Sequence, residues 1–455
     1  MLFRVEELGP IREAEIDLDQ PLIVLAGPNN SGKTYLAWVI YSLAHSYVRA
    51  TRAPSALNKG ARRVVDEDGG GRVVETASEL TAEFLSALSE TVQHNLPDHF
   101  AAPSERFEAT KLTLTSERGL RWSGRGGGFY AGKKEASVRA EGDGPLVVEF
   151  SSMESSGSLK ELTQAQREQT ATDIVRLAVV MLDSPMVEEV DALPVERLAI
   201  NLFAREIAAN RTELVDRLLS RQTTAADGGA PAGYGAFLQR HAGTYPLVIR
   251  NALQAAIRRA DRPDRGPLAD LADALEQGVL GGAVHVSEDE LEFHPQGAGS
   301  VALRLHETAS VVKSLASLVL YLRYEAEPGR RLIIDEPELN LHPDNQRRVA
   351  RILARGVNRG LRVVMSTHSD YLIRELNNLV MLGQDSEPSR ALRAELGYDE
   401  SETLQAEQIG AYLVNDGQCR RLPVSETGFE VSTIEDEIHR LNRDSQLIYQ
   451  RLFCE

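Results

Sequence analysis

Gly27-Pro-Asn-Asn-Ser-Gly32-Lys33-Thr34 constrains this chain more than any other stretch of it. These residues spell GxxxxGKT, preceded by the apolar run LIVLA and followed by TYLAWVIYSLAHSYV, whose apolar residues recur at helical spacing. A strand, a glycine loop and a helix in that order make a phosphate cradle, a P-loop. The two glycines let the backbone fold tightly, and successive N–H groups converge with the helix N-terminus on an anion. The pattern predicts that Gly27, Asn29, Asn30, Ser31, Gly32, Lys33 and Thr34 hold a nucleotide. Lys33 would reach the β- and γ-phosphates and Thr34 would hold Mg²⁺.

A nucleotide cradle needs a partner that manages the metal and the water, and Arg331-Leu-Ile-Ile-Asp335-Glu336 has that form. An apolar strand of this Walker B type carries Asp335 to the edge of the sheet, toward the magnesium shell, and leaves Glu336 to reach the attacking water. Lys33 and Asp335 lie 302 residues apart, so an insertion must intervene. One helix later, Leu361-Arg-Val-Val-Met-Ser-Thr-His368 is another strand, ending in a histidine that can hydrogen-bond a γ-phosphate and sense its loss.

AGPNNSGKT, LIIDEPELNLHPDNQ and VVMSTHSDYLIRELNNLVML together resemble the ABC-type ATPases of the SMC, RecF and OLD branch. Within that branch the resemblance is to the AAA15/AAA21 group of prokaryotic ATPases, which includes the ATPase subunits of phage-defence systems such as PARIS and, less closely, Septu. It covers residues 1 to about 45 and about 283 to 385, with the looser Leu193-Pro-Val-Glu-Arg197 before a helix. It implies an α/β, ABC-type P-loop ATPase head, a mixed sheet with flanking helices, carrying a large, mostly helical insertion. ATP would be hydrolysed to ADP and phosphate with Glu336 and His368 as catalytic residues, and Thr34 and Asp335 would hold Mg²⁺. Two heads would sandwich the nucleotide, giving a homodimer or higher homo-oligomer. Glu338 to Pro343 would take the D-loop position and His368 the switch position. The signature helix would begin near Ser310 in HETASVVKSLASL, with Ser310 and Lys313 facing the partner's γ-phosphate. The glycine and glutamine of LSGGQ are absent there, and Ser310 as an ordinary helix N-cap is the alternative.

The rest of the chain bounds these readings. At 455 residues, with 42% hydrophobic and 26% charged, it has the composition of an ordinary globular protein. No apolar run approaches the roughly 18 residues that span a bilayer, and the charged start shows no signal peptide, so no membrane partner and a cytoplasmic location are expected. Cys419 and Cys454 belong to no CxxC or Cys/His cluster, which leaves disulfide and zinc frameworks unsupported. A net charge of −17 opposes a surface that grips nucleic acid all over, although local basic patches remain.

The expected organisation is an N-terminal head part at 1–50 and a loop-rich α/β extension at 51–157. A helical lobe follows at 158–275, then the C-terminal head part at 276–385 and a helical tail at 386–455. For the output of the ATPase, two classes remain open. Only 87 residues follow His368 and they hold no DxD, so the TOPRIM domain of an OLD-family nuclease is not expected here, and the ATPase is expected to control a separately encoded nuclease, TOPRIM-like or HNH-like. The alternative is a RecF- or SMC-like ATPase that clamps DNA. Its support is the arginine run Arg347, Arg348, Arg351 and Arg355, with a second cluster from Arg250 to Arg265, and either could equally be a solvated face.

Overall fold

The computed structural model describes residues 1–50, 62–65, 71–75, 77–116, 127–131, 134–139, 146–152, 189–204, 206–207, 245–258, 264–287, 290–297, 299 and 301–453. Most of the expected helical lobe at 158–275 and much of the 51–157 extension lie outside the described residues.

Among the described residues nine strands form the main sheet. Their order is Val190–Leu193, Arg331–Asp335, Arg362–Thr367, Leu22–Ala26, Ile409–Asn415, Gln418–Leu422, Ile11–Asp17, Leu2–Leu8 and Lys111–Thr115. The first five run parallel to one another, and the far end carries antiparallel pairs. This is the mixed sheet with flanking helices that the sequence leads one to expect.

The central strands read as nearly unbroken apolar runs because both of their faces are covered. Alternation sorts their residues between two cores. Leu22, Val24, Leu332, Ile334, Val363 and Met365 pack with Ser310–Tyr324, Pro343–Asn358 and Asp370–Leu382 on one face. Ile23, Leu25, Ile333 and Val364 pack on the other with the P-loop helix Lys33–Ala50 and with Ala77–Phe100. Parallel registry then brings the strand ends together, with Asp335 opposite Ser366 and Thr367 opposite Ala26, one residue before the loop.

Two further sheets sit beside it, one of Gly282–Ser287, Glu290–Pro295 and Leu303–Arg304, the other of Arg62–Val65, Gly71–Glu75, Leu146–Ser152, Lys134–Arg139 and Gly127–Ala131.

Two sequence expectations need correction. The segment 386–455, expected to be a helical tail, contributes two strands to the main sheet, and Ile409–Asn415 pairs directly with the P-loop strand. The signal was local: Asn415-Asp416-Gly417, with Asp416 and Gly417 at positive φ, is the hairpin turn between Ile409–Asn415 and Gln418–Leu422. Val190–Leu193, placed within the helical lobe, is a strand parallel to Arg331–Asp335. Four residues are too few for periodicity to reveal, and pairing with a buried neighbour decides their conformation.

Candidate functional site

The strand Leu22–Ala26 delivers the loop to the parallel edge of the sheet, where close packing demands its glycines. Gly27 has φ +150°, and a Cβ there would lie 2.2 Å from the carbonyl oxygen of Val414 on the adjacent strand. Gly32 has φ +102° and would collide with Ile11 Cδ1 at 2.5 Å. Asn30 takes φ +60°, a left-handed conformation that asparagine tolerates. Lys33 is 6% exposed, and its Nζ donates to the carbonyls of Gly27 (2.9 Å) and Pro28 (2.7 Å). Burial lowers its pKa, and the charges of Glu336, Asp335 and Glu338 oppose that shift.

The two distant motifs meet at Thr34, whose Oγ1 donates to Asp335 Oδ2 at 2.9 Å. The other oxygen of Asp335 accepts from the Ser366 hydroxyl. Next along, Glu336 sits at φ +48°, a conformation that costs a non-glycine residue energy and persists only where its surroundings hold it. Here they do. Its N–H donates to the Ser366 carbonyl (3.1 Å), and its carbonyl accepts from Arg197 Nη2 (2.6 Å). Burial raises the pKa of the Glu336 carboxyl. Nearby Glu338 and Asp335 add to the rise, while His368 and Lys33 oppose it.

His368 follows the strand Arg362–Thr367, and Ser369 then caps the helix Asp370–Leu382 by accepting from the Leu372 N–H. The His368 Nδ1 lies 3.7 Å from Glu336 Oε1 and 3.5 Å from Glu338 Oε1. Buried Glu338 anchors this corner, accepting from Thr367 Oγ1 (2.7 Å) and the His368 N–H (2.9 Å).

The structure thus gathers Lys33, Thr34, Asp335, Glu336 and His368 at one edge. It does not join Ser310 or Lys313 to them: neither side chain has a hydrogen bond or ion pair to that group among the described residues. Ala309, not Ser310, is the N-cap of Ser310–Tyr324, and no side-chain bond caps it.

Arg197 and Ser366 have no site role in the sequence reading, and Glu338 and Asn340 enter it only within the D-loop stretch. Arg197 is 1% exposed, and its guanidinium donates only to carbonyls: Asp335 (2.6 Å), Glu336 (2.6 Å), Ser314 (3.0 Å) and Pro194 (3.1 Å). Burial lowers its pKa to about 10, against the pull of Asp335, Glu338 and Glu336. Its only sequence trace was LPVER. Asn340, at φ +61°, donates to Ser314 Oγ (3.2 Å), so two bonds tie the end of the Arg331–Asp335 strand and the loop after it to the helix Ser310–Tyr324.

Phosphate and magnesium fit these residues. The glycine cradle admits no side chain, Ser31 Oγ is buried there without a hydrogen-bond partner, and Thr34 with Asp335 presents hard oxygen donors. Among the described residues no group of three His, Cys, Asp or Glu side chains forms a metal centre by itself.

The arginine run is engaged within the chain. Arg347 and Arg351 both bind buried Glu375, at 2.7 and 2.6 Å. Arg348 pairs with Asp344 at 2.9 Å and Arg355 with Asp270 at 3.7 Å.

Residues 264–374 match the family described as "AAA domain, putative AbiEii toxin, Type IV TA system". That stretch holds the Walker B strand and His368 but not the P-loop. No curated protein matches the chain. Among solved structures, the Smc head bound to the C-winged helix domain of ScpA is 12% identical, with 92% of this chain and 96% of that one covered at a TM-score of 0.33. The Pyrococcus furiosus Smc head with an extended coiled coil, bound to the C-terminal domain of ScpA, gives 12%, 97%, 98% and 0.29 in the same order. The Thermotoga maritima SMC head domain gives 11%, 93%, 98% and 0.29. Likenesses at these scores add nothing to the reading of the site, which stands on the chain's own geometry. Among the described residues no helix is long and apolar enough to cross a membrane.

Proposed function

We propose that this chain is a magnesium-dependent ATP hydrolase whose nucleotide-loaded heads associate and thereby control a partner effector, a nuclease in anti-phage defence. The observation that carries the hydrolase reading is the Thr34–Asp335 hydrogen bond, which closes a site from residues 301 apart in sequence. The P-loop amides and Lys33 bind the phosphates. Thr34 and Asp335 hold the metal, which when bound neutralises phosphate charge. Glu336, its backbone clamped by Ser366 and Arg197, aims a carboxylate of raised basicity at the attacking water. His368 reads the γ-phosphate. The toxin and toxin–antitoxin terms in the matched family's description support an effector-linked setting. The DNA-clamp alternative stays open beside it, although the four arginines of the Arg347–Arg355 run already pair with carboxylates of the same chain.

Two measurements on purified protein test the reading. Glu336→Gln should bind Mg-ATP like the wild type, turn it over at least about 100-fold more slowly, and accumulate associated heads. Equal turnover would remove Glu336 from catalysis. Capture of a nuclease from the native host with a non-hydrolysable ATP analogue tests the effector, and capture of replication or repair proteins instead would move the reading to the DNA-clamp class.

A further inference from the structure

Among the described residues the helix Ser432–Phe453 is anchored at its start. Ile434 packs on the main core and Arg374 donates to Glu435 at 3.2 Å, but every residue from His439 to Phe453 is exposed. At 22 residues it is about 33 Å long, and most of that length has no packing from the described residues of its own chain. An unsupported helix of this length is marginal in water, and this one exposes Leu441, Ile448, Leu452 (69%) and Phe453 (73%).

The apolar pattern is specific. Ile434, Ile438, Leu441, Ser445, Ile448 and Leu452 follow one another at steps of four, three, four, three and four, the seam of a two-stranded coiled coil. Glu437, Asp444 and Arg451 flank that seam on one side.

We propose that a second copy of this chain covers the seam, the two helices pairing antiparallel about Arg443. That alignment sets Ile438 against the partner's Ile448 and Leu441 against the partner's Ser445, and closes the partner's Leu452 over the side of Ile434 that its own core leaves half-exposed, so each layer holds at least one large apolar group. It also sets Glu437 beside the partner's Arg451, twice by symmetry. A parallel pair would stack Ser445 on its own copy and offer Glu437 only Asn442 and Asp444 only Tyr449, with no charge match. Asp444 facing its own copy opposes the antiparallel pair, and Glu437 must share itself with Arg440, 2.8 Å away in the same helix. Two attractive pairs against one repulsive one favour it, and three heptads make the association weak, in the micromolar range. This tether does not depend on the nucleotide site. It would keep two heads within reach of each other while they open and close.

Sedimentation of the full chain without nucleotide tests it. The wild type should form a dimer at micromolar concentration. Glu437→Arg and Arg451→Glu should each weaken it about ten-fold, and the double charge swap should restore it. Leu441→Asp with Ile448→Asp should leave monomers whose ATP binding is that of the wild type. A wild type that stays monomeric to about 100 μM overturns the proposal and leaves the helix to a different protein. So does a dimer that survives Leu441→Asp with Ile448→Asp, or one that the double swap fails to restore.

Discussion

Arg197 is a buried cation held by four carbonyls, with no carboxylate contact among the described residues, which is the arrangement of a backbone clamp. It fixes the backbone of Asp335 and Glu336 and ties both to the first turns of the helix Ser310–Tyr324. Arg197→Met would strand those carbonyls and should cost about 2–4 kcal/mol in urea unfolding. In the protein that still folds, turnover should fall more than ATP affinity. Unchanged turnover would reduce Arg197 to a packing role. The raised pKa of Glu336 gives a second expectation. A general base works deprotonated, so turnover should fall on acidification at a higher pH than an ordinary glutamate dictates. Because His368 opposes the rise, His368→Asn should move that limb higher still, and a limb that stays or moves down would separate the two residues. Since the folded state holds the Glu336 proton more tightly than the unfolded chain does, its ionisation weakens the fold as pH rises above about 4.5, so Glu336→Gln should melt no earlier than wild type at neutral pH.

The helices Pro343–Asn358 and Asp370–Leu382 are joined by Glu375, fully buried beneath Arg347 and Arg351, while Arg351 also lies 3.6 Å over the Tyr398 ring. Burial alone would raise the Glu375 pKa, but the bonds and charges of the two arginines together win and depress it. Its contribution to stability is therefore complete above the ordinary glutamate pKa and lost as pH falls through the depressed one. Glu375→Ala should cost about 3 kcal/mol near neutral pH and flatten the acid side of the stability curve. A variant with the wild-type acid profile would contradict this. The same elements show what a sequence discloses. Helix Ser310–Tyr324 and the P-loop, Walker B and switch strands were legible from periodicity and motif. The strand Ile409–Asn415 was legible only through the Asn-Asp-Gly turn that follows it, which marks its hairpin with Gln418–Leu422 and not its pairing with the P-loop strand. The roles of Ser366 and Glu338 were not legible, because their capture of Asp335 and His368 depends on registry between parallel strands that no local pattern encodes.

Across the whole molecule, the chain closes one site from stretches far apart in sequence and leaves most of one amphipathic helix exposed among the described residues. The P-loop strand Leu22–Ala26 lies between Arg362–Thr367 and Ile409–Asn415 in the main sheet, so the nucleotide site and the fold share a core. Tight binding of Mg-ATP should accordingly raise the melting temperature of the full chain, by about 2.7 kcal/mol of stability at a hundred-fold excess over Kd, and Lys33→Ala should abolish the rise. A rise that persists in Lys33→Ala would place the nucleotide elsewhere. The decisive experiment is a double-mutant cycle on Mg-ATP affinity with Thr34→Val and Asp335→Asn, read by calorimetric titration. If the two side chains serve one metal, each change should weaken binding strongly and the pair should cost clearly less than the sum. Two independent, additive losses, or none, would show that the P-loop and the Walker B strand do not share a site.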